Sequence, residues 1–582
     1  MFQAVNYLAN LHKPAVCDTM KSGQDKASIF RDDGAAFHRW GDLDRAEQCY
    51  LQALDSADGS KDHQTLYRMA ELFLEKKDPR RALEFYILTI HADAGNLLHK
   101  QRFLDIGGRM QFTHYNADLE DALLQCLKVT PDLDFSNAGP MWSAMLRGNV
   151  GFAWLYADTR VFEKRFNPAP LLQTYFIEGL KKISVHEPGF EDFIRRLRQW
   201  LLMGVSSLGN ILARADYLRL AEAVAIYCFY GDYIIRVTAA EQAKLREISR
   251  QLTDPLFAAV YACYKLQDVP DVFEPGSALA DILKENEQIT AEDVPTIFPK
   301  KQDEKISHPR WRSVPVHTLG AGLFFPRRKE KLERTFAGTK PELLVAGCGT
   351  GREAIIAALH YPKAKITTFD SCRENVAYAA VKSREYNVRN IDFRQDDILN
   401  LEKIPKPHDI IYSTGALHHA PDPLKAWQIL RDNLKPAGIM KIGLASKTAL
   451  RPVIAVREAI RKFNINDNRE SILDFRARGA EFLPAEMLEG FTSRADYYSF
   501  STYRDMFFHP GTHYFTLPEI EEALAKLRLA FEGFDLPAPA LQQYAEKFPD
   551  DPDMVSLKNW HTFELEAPDI FAGMYQFWCR KF

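Results

Sequence analysis

A short apolar run, Leu343 to Cys348, ends in glycines at every second position, Gly347, Gly349 and Gly351, and then passes directly into REAIIAALHY. An apolar run of that length is a buried strand, and the segment after it has helical spacing. Glycines at the junction allow a tight turn and let a ligand's polar groups touch backbone N–H groups at the helix N-terminus. The pattern then repeats. KITTFDS (365–371), NIDFRQD (390–396), DIIYST (409–414) and IMKIGLA (439–445) read as strands, with RENVAYAAVKSREY and LKAWQILRDNL as helices between them. Such alternation dictates a parallel sheet covered by helices on both faces. Further on, TLPEIEEALAKL reads as a helix, LRLAFEGFD as a strand and AGMYQFWCRKF as a closing strand.

Asp370 ends the second strand, nineteen residues after Gly351. A glycine loop followed at that spacing by a carboxylate marks a nucleoside-containing cofactor. It does not say which one, because G-T-G-R-E-A from Gly349 also satisfies the dinucleotide fingerprint. A nicotinamide-dependent reductase therefore stays open at this point. The later blocks narrow the choice. Asp396-Asp397-Ile398 follows the third strand, where a carboxylate can accept from an adenine amino group. Ser413 to Leu417 leave the fourth strand, Asp422-Pro423 has the form of a helix cap, and Lys435 to Gly438 read as the turn before the fifth strand.

Taken in order, GCGTG, FD, QDD, LHH-x-x-DP and LKPAG resemble the class I S-adenosylmethionine-dependent methyltransferases, firmly over about residues 341–446 and more loosely over 500–582. The resemblance implies a Rossmann-like seven-stranded domain whose last strand, MYQFWCRKF, runs antiparallel. It also implies that Gly347, Gly349 and Gly351 face the methionine part of S-adenosyl-L-methionine and that Asp370 holds both ribose hydroxyls. Asp397, rather than Asp396, accepts from the adenine amino group, beside the Ile398 backbone. The whole layout is similar to a bacterial family in which tetratricopeptide repeats precede such a domain, with HPRW (His308 to Trp311) before it and FAGMYQFW closing it. Residues STGALHH stand where amine methyltransferases carry N/D-P-P-Y, which speaks against nucleobase or amide methylation.

Methyl transfer is an in-line displacement, so positioning dominates and a base assists. His418 and His419 follow the fourth strand and are the catalytic candidates. The aromatic stretch Asp496 to Phe515, with His509 and His513, is expected to cap the pocket as part of a helical lid insertion at about 447–515. Pro510-Gly511 prevents a helix from aligning those two histidines, and no metal site is expected.

The first half is helical in pattern. FRDDGAAFHRWGDLDRAEQCYLQAL (30–54) and LYRMAELFLEKKDPRRALEFYILTI (66–90) each read as two helices around a polar turn. Gly34, Phe37, Ala46, Tyr50 and Ala53, then Ala70, Phe73, Ala82 and Tyr86, fall where a tetratricopeptide repeat places small and aromatic residues. A degenerate third unit is centred on Ala122. Expected divisions are 1–150 for the repeats, 151–293 for further helices, 294–316 for a Pro- and charge-rich linker or strap, and 317–582 for the methyltransferase domain, which is expected to fold alone from about residue 300.

Composition removes other classes. With 74 basic against 78 acidic residues, a dedicated nucleic-acid binder is not expected. No apolar run reaches the ~18 residues of a membrane helix. MFQAVNYLANLHK lacks a basic n-region and a cleavage site. Eight scattered cysteines form no C-x-x-C, the pattern of reduced thiols in a cytoplasmic protein. The leading functional expectation is methylation of a protein or peptide recruited by the helical repeats. A small-molecule methyltransferase with repeats used for assembly, and a non-catalytic scaffold, are the alternatives. Oligomeric state is not legible.

Overall fold

The computed structural model describes residues 26–56, 62–129, 133–163, 166–208, 213–292, 294, 310–315, 340–403 and 407–582. The N-terminal segment read for targeting signals, Cys17, His308 and most of the expected linker lie outside them.

Seven strands form one sheet: β1 (Glu342–Ala346), β2 (Lys365–Asp370), β3 (Ile391–Gln395), β4 (His408–Thr414), β5 (Leu434–Ala445), β6 (Leu529–Phe534) and β7 (Met574–Lys581). Their order is β3-β2-β1-β4-β5-β7-β6. The first five are parallel, and β7 enters antiparallel between β5 and β6. This is the Rossmann-like α/β arrangement expected from the sequence. Alternation along the strands divides the apolar residues between two layers. Leu344, Ala346, Ile411 and Met440 pack on one side with Trp427, Leu524 and Trp560. Leu343, Val345, Ile410 and Ile439 pack on the other with Ala354, Ile355 and Ala358. Period-2 side chains with apolar residues on both faces require helices on both faces. The turn expected at Lys435 to Gly438 is instead inside β5. It forms a bulge, because His408 pairs with Leu434 and Ile410 next pairs with Ile439. Ala437 takes up the excess chain at φ 59°.

The N-terminal half is helical throughout its described residues. Helices Lys26–Arg39, Leu43–Ser56, His63–Glu75 and Pro79–Ala92 come in pairs. Asp62 and Asp78 cap the third and fourth of them by accepting from the Thr65 and Arg81 backbone N–H groups, and Pro79 occupies a first-turn position. Ala46, Tyr50, Ala53, Ala70, Phe73, Ala82 and Tyr86 are all buried. The third pair is Leu97–Gly107 and Ala117–Leu127, with Ala122 buried.

The lid is where packing departs most from the sequence reading. Helices Arg451–Lys462, Arg469–Ala477, Gly479–Phe482, Ala485–Thr492 and Phe500–Phe508 leave the sheet after β5. Their apolar side chains, among them Val456, Ile472, Phe475, Phe491 and Tyr503, belong to the same continuous core as the N-terminal helices. Arg476 makes a bidentate pair with Glu191, at 2.7 and 2.6 Å. Asp232 is a second junction. Its carboxylate accepts from Arg310 at 2.5 Å, Ser499 at 2.8 Å and Ser501 at 2.5 Å, while its carbonyl accepts from Arg469 at 2.5 Å. The strap residues Arg310 to Pro315 add further ties. Trp311 donates to the Thr350 carbonyl at 3.0 Å and accepts at its own carbonyl from the Tyr378 hydroxyl at 2.8 Å. Asp134 of the helical half accepts from Arg352 at 2.8 Å.

The Arg476 and Glu191 side chains are only 9% and 19% exposed. Removing one partner of such a pair strands the other charge. Arg476→Met is therefore expected to cost ~3–5 kcal/mol in denaturant unfolding. A loss below ~1 kcal/mol, the range of exposed pairs, would mean that water reaches Glu191.

Candidate active site

The glycine loop begins where β1 ends. Gly347 has φ 72°, and a Cβ there would lie 2.3 Å from the Ala416 Cβ. Gly351 has φ 81°, and its Cβ would lie 2.2 Å from that of Ala379. Backbone conformation and close approach both demand glycine. The Gly347 and Cys348 N–H groups donate to the Phe369 carbonyl, each at 3.0 Å, which ties the loop to the end of β2.

Asp370 is buried at that end and clasps the loop. One carboxylate oxygen accepts from the Gly349 N–H at 2.8 Å. The other accepts from the Cys372 N–H at 3.0 Å and the Asn375 amide at 3.1 Å. An ionised carboxylate has about four lone-pair positions, so three are used and one remains, on the oxygen facing Gly349. Both ribose hydroxyls could bind only if the Asn375 amide moved aside. Asp396 is buried and accepts from the Asp397 N–H at 2.8 Å. Asp397 is exposed to the cleft and accepts from the Leu399 N–H at 2.9 Å, and Ile398 is buried beside it.

These residues line a cleft of about 780 Å³ at the carboxyl ends of the parallel strands. Gly347, Asp370, Asp396, Asp397, Ile398, Ala416 and His419 form the sheet side. Arg469, Phe500, Arg504, Asp505, Phe508 and His509 form the lid side, and Asp232, Tyr233 and Arg310 the third wall. That size and position are those of a ligand site in a doubly wound sheet. Gly349 and Gly351 shape the loop from behind the cleft wall.

The two adjacent histidines part company. His419 is in the cleft wall, whereas His418 is 5% exposed and packed behind it. Burial, with the neighbouring His419, pushes the His418 imidazole down to about 3. His419 Nδ1 lies 3.3 Å from the Gly511 carbonyl and 3.4 Å from the Thr512 hydroxyl. A carbonyl only accepts, so this contact selects the tautomer with hydrogen on Nδ1 and the lone pair on Nε2. The His509 ring lies against His419 at a tilt of 41°, with centroids 3.9 Å apart. His509 Nδ1 accepts from the Gly511 N–H at 3.2 Å, so its neutral ring carries hydrogen on Nε2. Burial and the His419 neighbour push His509 down to about 4. Arg457 braces this loop by donating to the carbonyls of Met506, Asp505 and His509 and to the Thr512 hydroxyl.

The sequence reading kept His509 and His513 apart because Pro510-Gly511 breaks any helix between them, and His513 is exposed. His509 meets His419 and Asp505 instead, with one donor atom of each within 4.8 Å of the others. By proximity the three could hold a cation, but the hydrogens assigned above arrange them for moving a proton. Asp505 stands four residues before His509, at the end of helix Phe500–Phe508, a spacing readable in the sequence. Asp232, Tyr233, Arg469 and Arg504 carried no such signal.

Residues 342–471, from β1 into the second lid helix and under a quarter of the chain, match the family model described as a methyltransferase domain. An uncharacterized protein of Synechococcus is 31% identical over 122 residues, which is 21% of this chain and 29% of that one. Trans-aconitate 2-methyltransferase of Deinococcus radiodurans is 28% identical over 110 residues, 19% of this chain and 38% of that enzyme. The chain thus spans only about a third of the curated relatives' length. Among solved structures, PKMT2 from Rickettsia typhi in complex with AdoHcy aligns with TM-score 0.32 and 16% identity, over 44% of this chain and 52% of that one. Around the glycine loop, β1 to β5 and the first lid helices, the chain is similar to a methyltransferase domain.

Proposed function

We propose that the protein is an S-adenosylmethionine-dependent methyltransferase whose acceptor is a protein or peptide brought to the cleft by the helical half. The observation that carries this reading is the cleft itself. Its floor is a glycine loop with no room for a Cβ at Gly347, flanked by Asp370 and by Asp397-Ile398, and its third wall comes from the helical half. A nucleoside with a polar tail fits that donor and acceptor set. S-adenosylmethionine, when bound, supplies a methyl on a sulfonium, already a good electrophile. The chain's part is then to hold the acceptor, exclude water and take up a proton. Asp370 holds the ribose end, Gly347 faces the tail, and Asp397 with Ile398 holds the base. Phe500 and Phe508 exclude water from the lid side. His419 Nε2, opposite the Nδ1–H fixed by Gly511, is the proton acceptor. His509 and Asp505 position it.

Binding tests the first half of the proposal. Asp370→Asn keeps the side chain's shape but removes its charge. It is expected to weaken S-adenosylmethionine and S-adenosylhomocysteine by about 10- to 100-fold in calorimetry, the range of one charge-assisted bond. Tighter binding of a nicotinamide cofactor by the wild type would overturn the assignment.

A small acidic acceptor is the second reading, favoured by Arg469 and Arg504 in the lid wall and by the likeness to a trans-aconitate methyltransferase. Incubation with methyl-labelled cofactor and fractionated lysate separates the two. Label in macromolecules supports the first, and label confined to small molecules supports the second.

A further inference from the structure

Away from the cleft residues, three side chains from the ends of three consecutive helices of the N-terminal half converge. His63 is the first residue of helix His63–Glu75, Asp93 caps the end of Pro79–Ala92, and His99 lies in the first turn of Leu97–Gly107. One donor atom of each lies within 4.8 Å of the others. The His63 Nδ1 to Asp93 Oδ2 separation is 3.6 Å, too long for a good hydrogen bond. It is close to the ~3.4 Å edge of a tetrahedron whose centre is ~2.1 Å from each ligand.

The polar accounting points the same way. His99 is 4% exposed, and among the described residues neither its Nδ1 nor that of His63 has a hydrogen-bond partner. Buried polar atoms are normally satisfied, and two orphaned imidazole nitrogens in one cluster with a carboxylate need an explanation. The surroundings hold these groups in place. The His99 ring stacks on Tyr67 with centroids 4.9 Å apart. The two Asp93 oxygens accept from the Gly95 N–H and the Asn96 amide, each at 3.3 Å. Such outer contacts are what orient metal ligands.

We propose that His63, Asp93 and His99 form a zinc site that fastens these three helices together. Two neutral imidazoles and a carboxylate are a zinc donor set. The His63 and Asp93 side chains are 33% and 34% exposed, which leaves a solvent-facing position for water as fourth ligand. This inference does not depend on the methyltransferase reading, since no cleft residue takes part.

The test uses the full chain, stripped with chelator and titrated with Zn²⁺ by calorimetry, with the unfolding midpoint followed in parallel. Wild type is expected to take up a zinc equivalent that His63→Gln and His99→Phe lose or bind at least 100-fold more weakly. Asp93→Asn should weaken it about 10-fold. Zinc should raise the wild-type midpoint and leave those of the two histidine variants where they are. His99→Phe keeps a ring on Tyr67, and His63→Gln alters a partly exposed position, so a folding failure in one leaves the other to decide. Zinc held by the cleft histidines would persist in both variants. Equal stoichiometry and affinity in wild type, His63→Gln and His99→Phe, or no zinc uptake by the wild type, would overturn the proposal.

Discussion

Replacement of His419 by alanine is expected to lower methyl transfer ~10²- to 10⁴-fold, the usual contribution of a positioned base. Cofactor affinity should change little, because the adenosine is assigned to Asp370, Asp397 and Ile398 and not to His419. His418→Ala should leave turnover within a few-fold and show its effect in stability. His418 is packed behind the wall, where burial holds it neutral, at about 3. The pH dependence follows from that depression. Unfolded, the imidazole titrates near the ordinary 6.5; folded, it takes a proton only near 3. As pH falls through that window the unfolded chain binds the additional proton, so native stability falls with decreasing pH. His509, held at about 4, acts in the same direction. His418→Ala should flatten the acid limb of a stability-against-pH curve, whereas His419→Ala should act on the rate. Near-wild-type turnover in His419→Ala would leave positioning and desolvation as the chain's whole contribution.

Removing the helical half is expected to abolish both solubility and cofactor binding. A fragment of residues 300–582 keeps the sheet and its flanking helices but leaves the lid without its other side. Arg476 loses Glu191, Ser499 and Ser501 lose the Asp232 carboxylate, and Arg469 loses the Asp232 and Tyr233 carbonyls. Tyr498 loses the His186 ring, 5.6 Å away. Each apolar side chain left uncovered forfeits ~1.5–3 kcal/mol, and Ile472, Phe475, Tyr498 and Tyr503 are among them. Together these rival the ~5–15 kcal/mol that holds a whole domain folded. The fragment would also lack the Asp232 and Tyr233 wall of the cleft. This outcome is the reverse of what the alternation of strands and helices suggests. Sedimentation and calorimetry on fragment and full chain check it, and a monomeric fragment with wild-type affinity would show that the lid closes on the sheet unaided.

Strand and helix positions in the sheet were legible because each carries its own local signal. β2 and β4 lie within a residue of their expected bounds, and the antiparallel β7 is where MYQFWCRKF places it. The glycine loop and Asp370 were legible for a related reason, since conformation and spacing constrain them. The lid's partner was not. Helical periodicity in 450–495 shows which side of a helix is buried but not against what, and Ile472 and Phe475 would read the same on either neighbour. Asp232 and Arg469 reach the cleft through tertiary contacts spanning up to 269 residues of sequence, as between Asp232 and Ser501. Of the histidine pair, sequence alone named both; what separates the two is the Gly511 carbonyl, brought in by the lid.

The Asp232 junction has a thermodynamic consequence. Asp232 and Tyr233 both have left-handed backbone, φ 50° and 54°, an arrangement two such residues hold only when their surroundings enforce it. Those surroundings are the strap through Arg310 and the lid through Ser499, Ser501 and Arg469, and the same two residues wall the cleft. A ligand that seats on the helical half and shifts this loop changes how tightly the cleft holds its contents. Linkage then makes the effect mutual: whatever factor the outer ligand applies to cofactor affinity, the cofactor returns to the outer ligand. For such a ligand, occupancy of the two regions is one shared equilibrium, and a titration at one of them would read the state of the other.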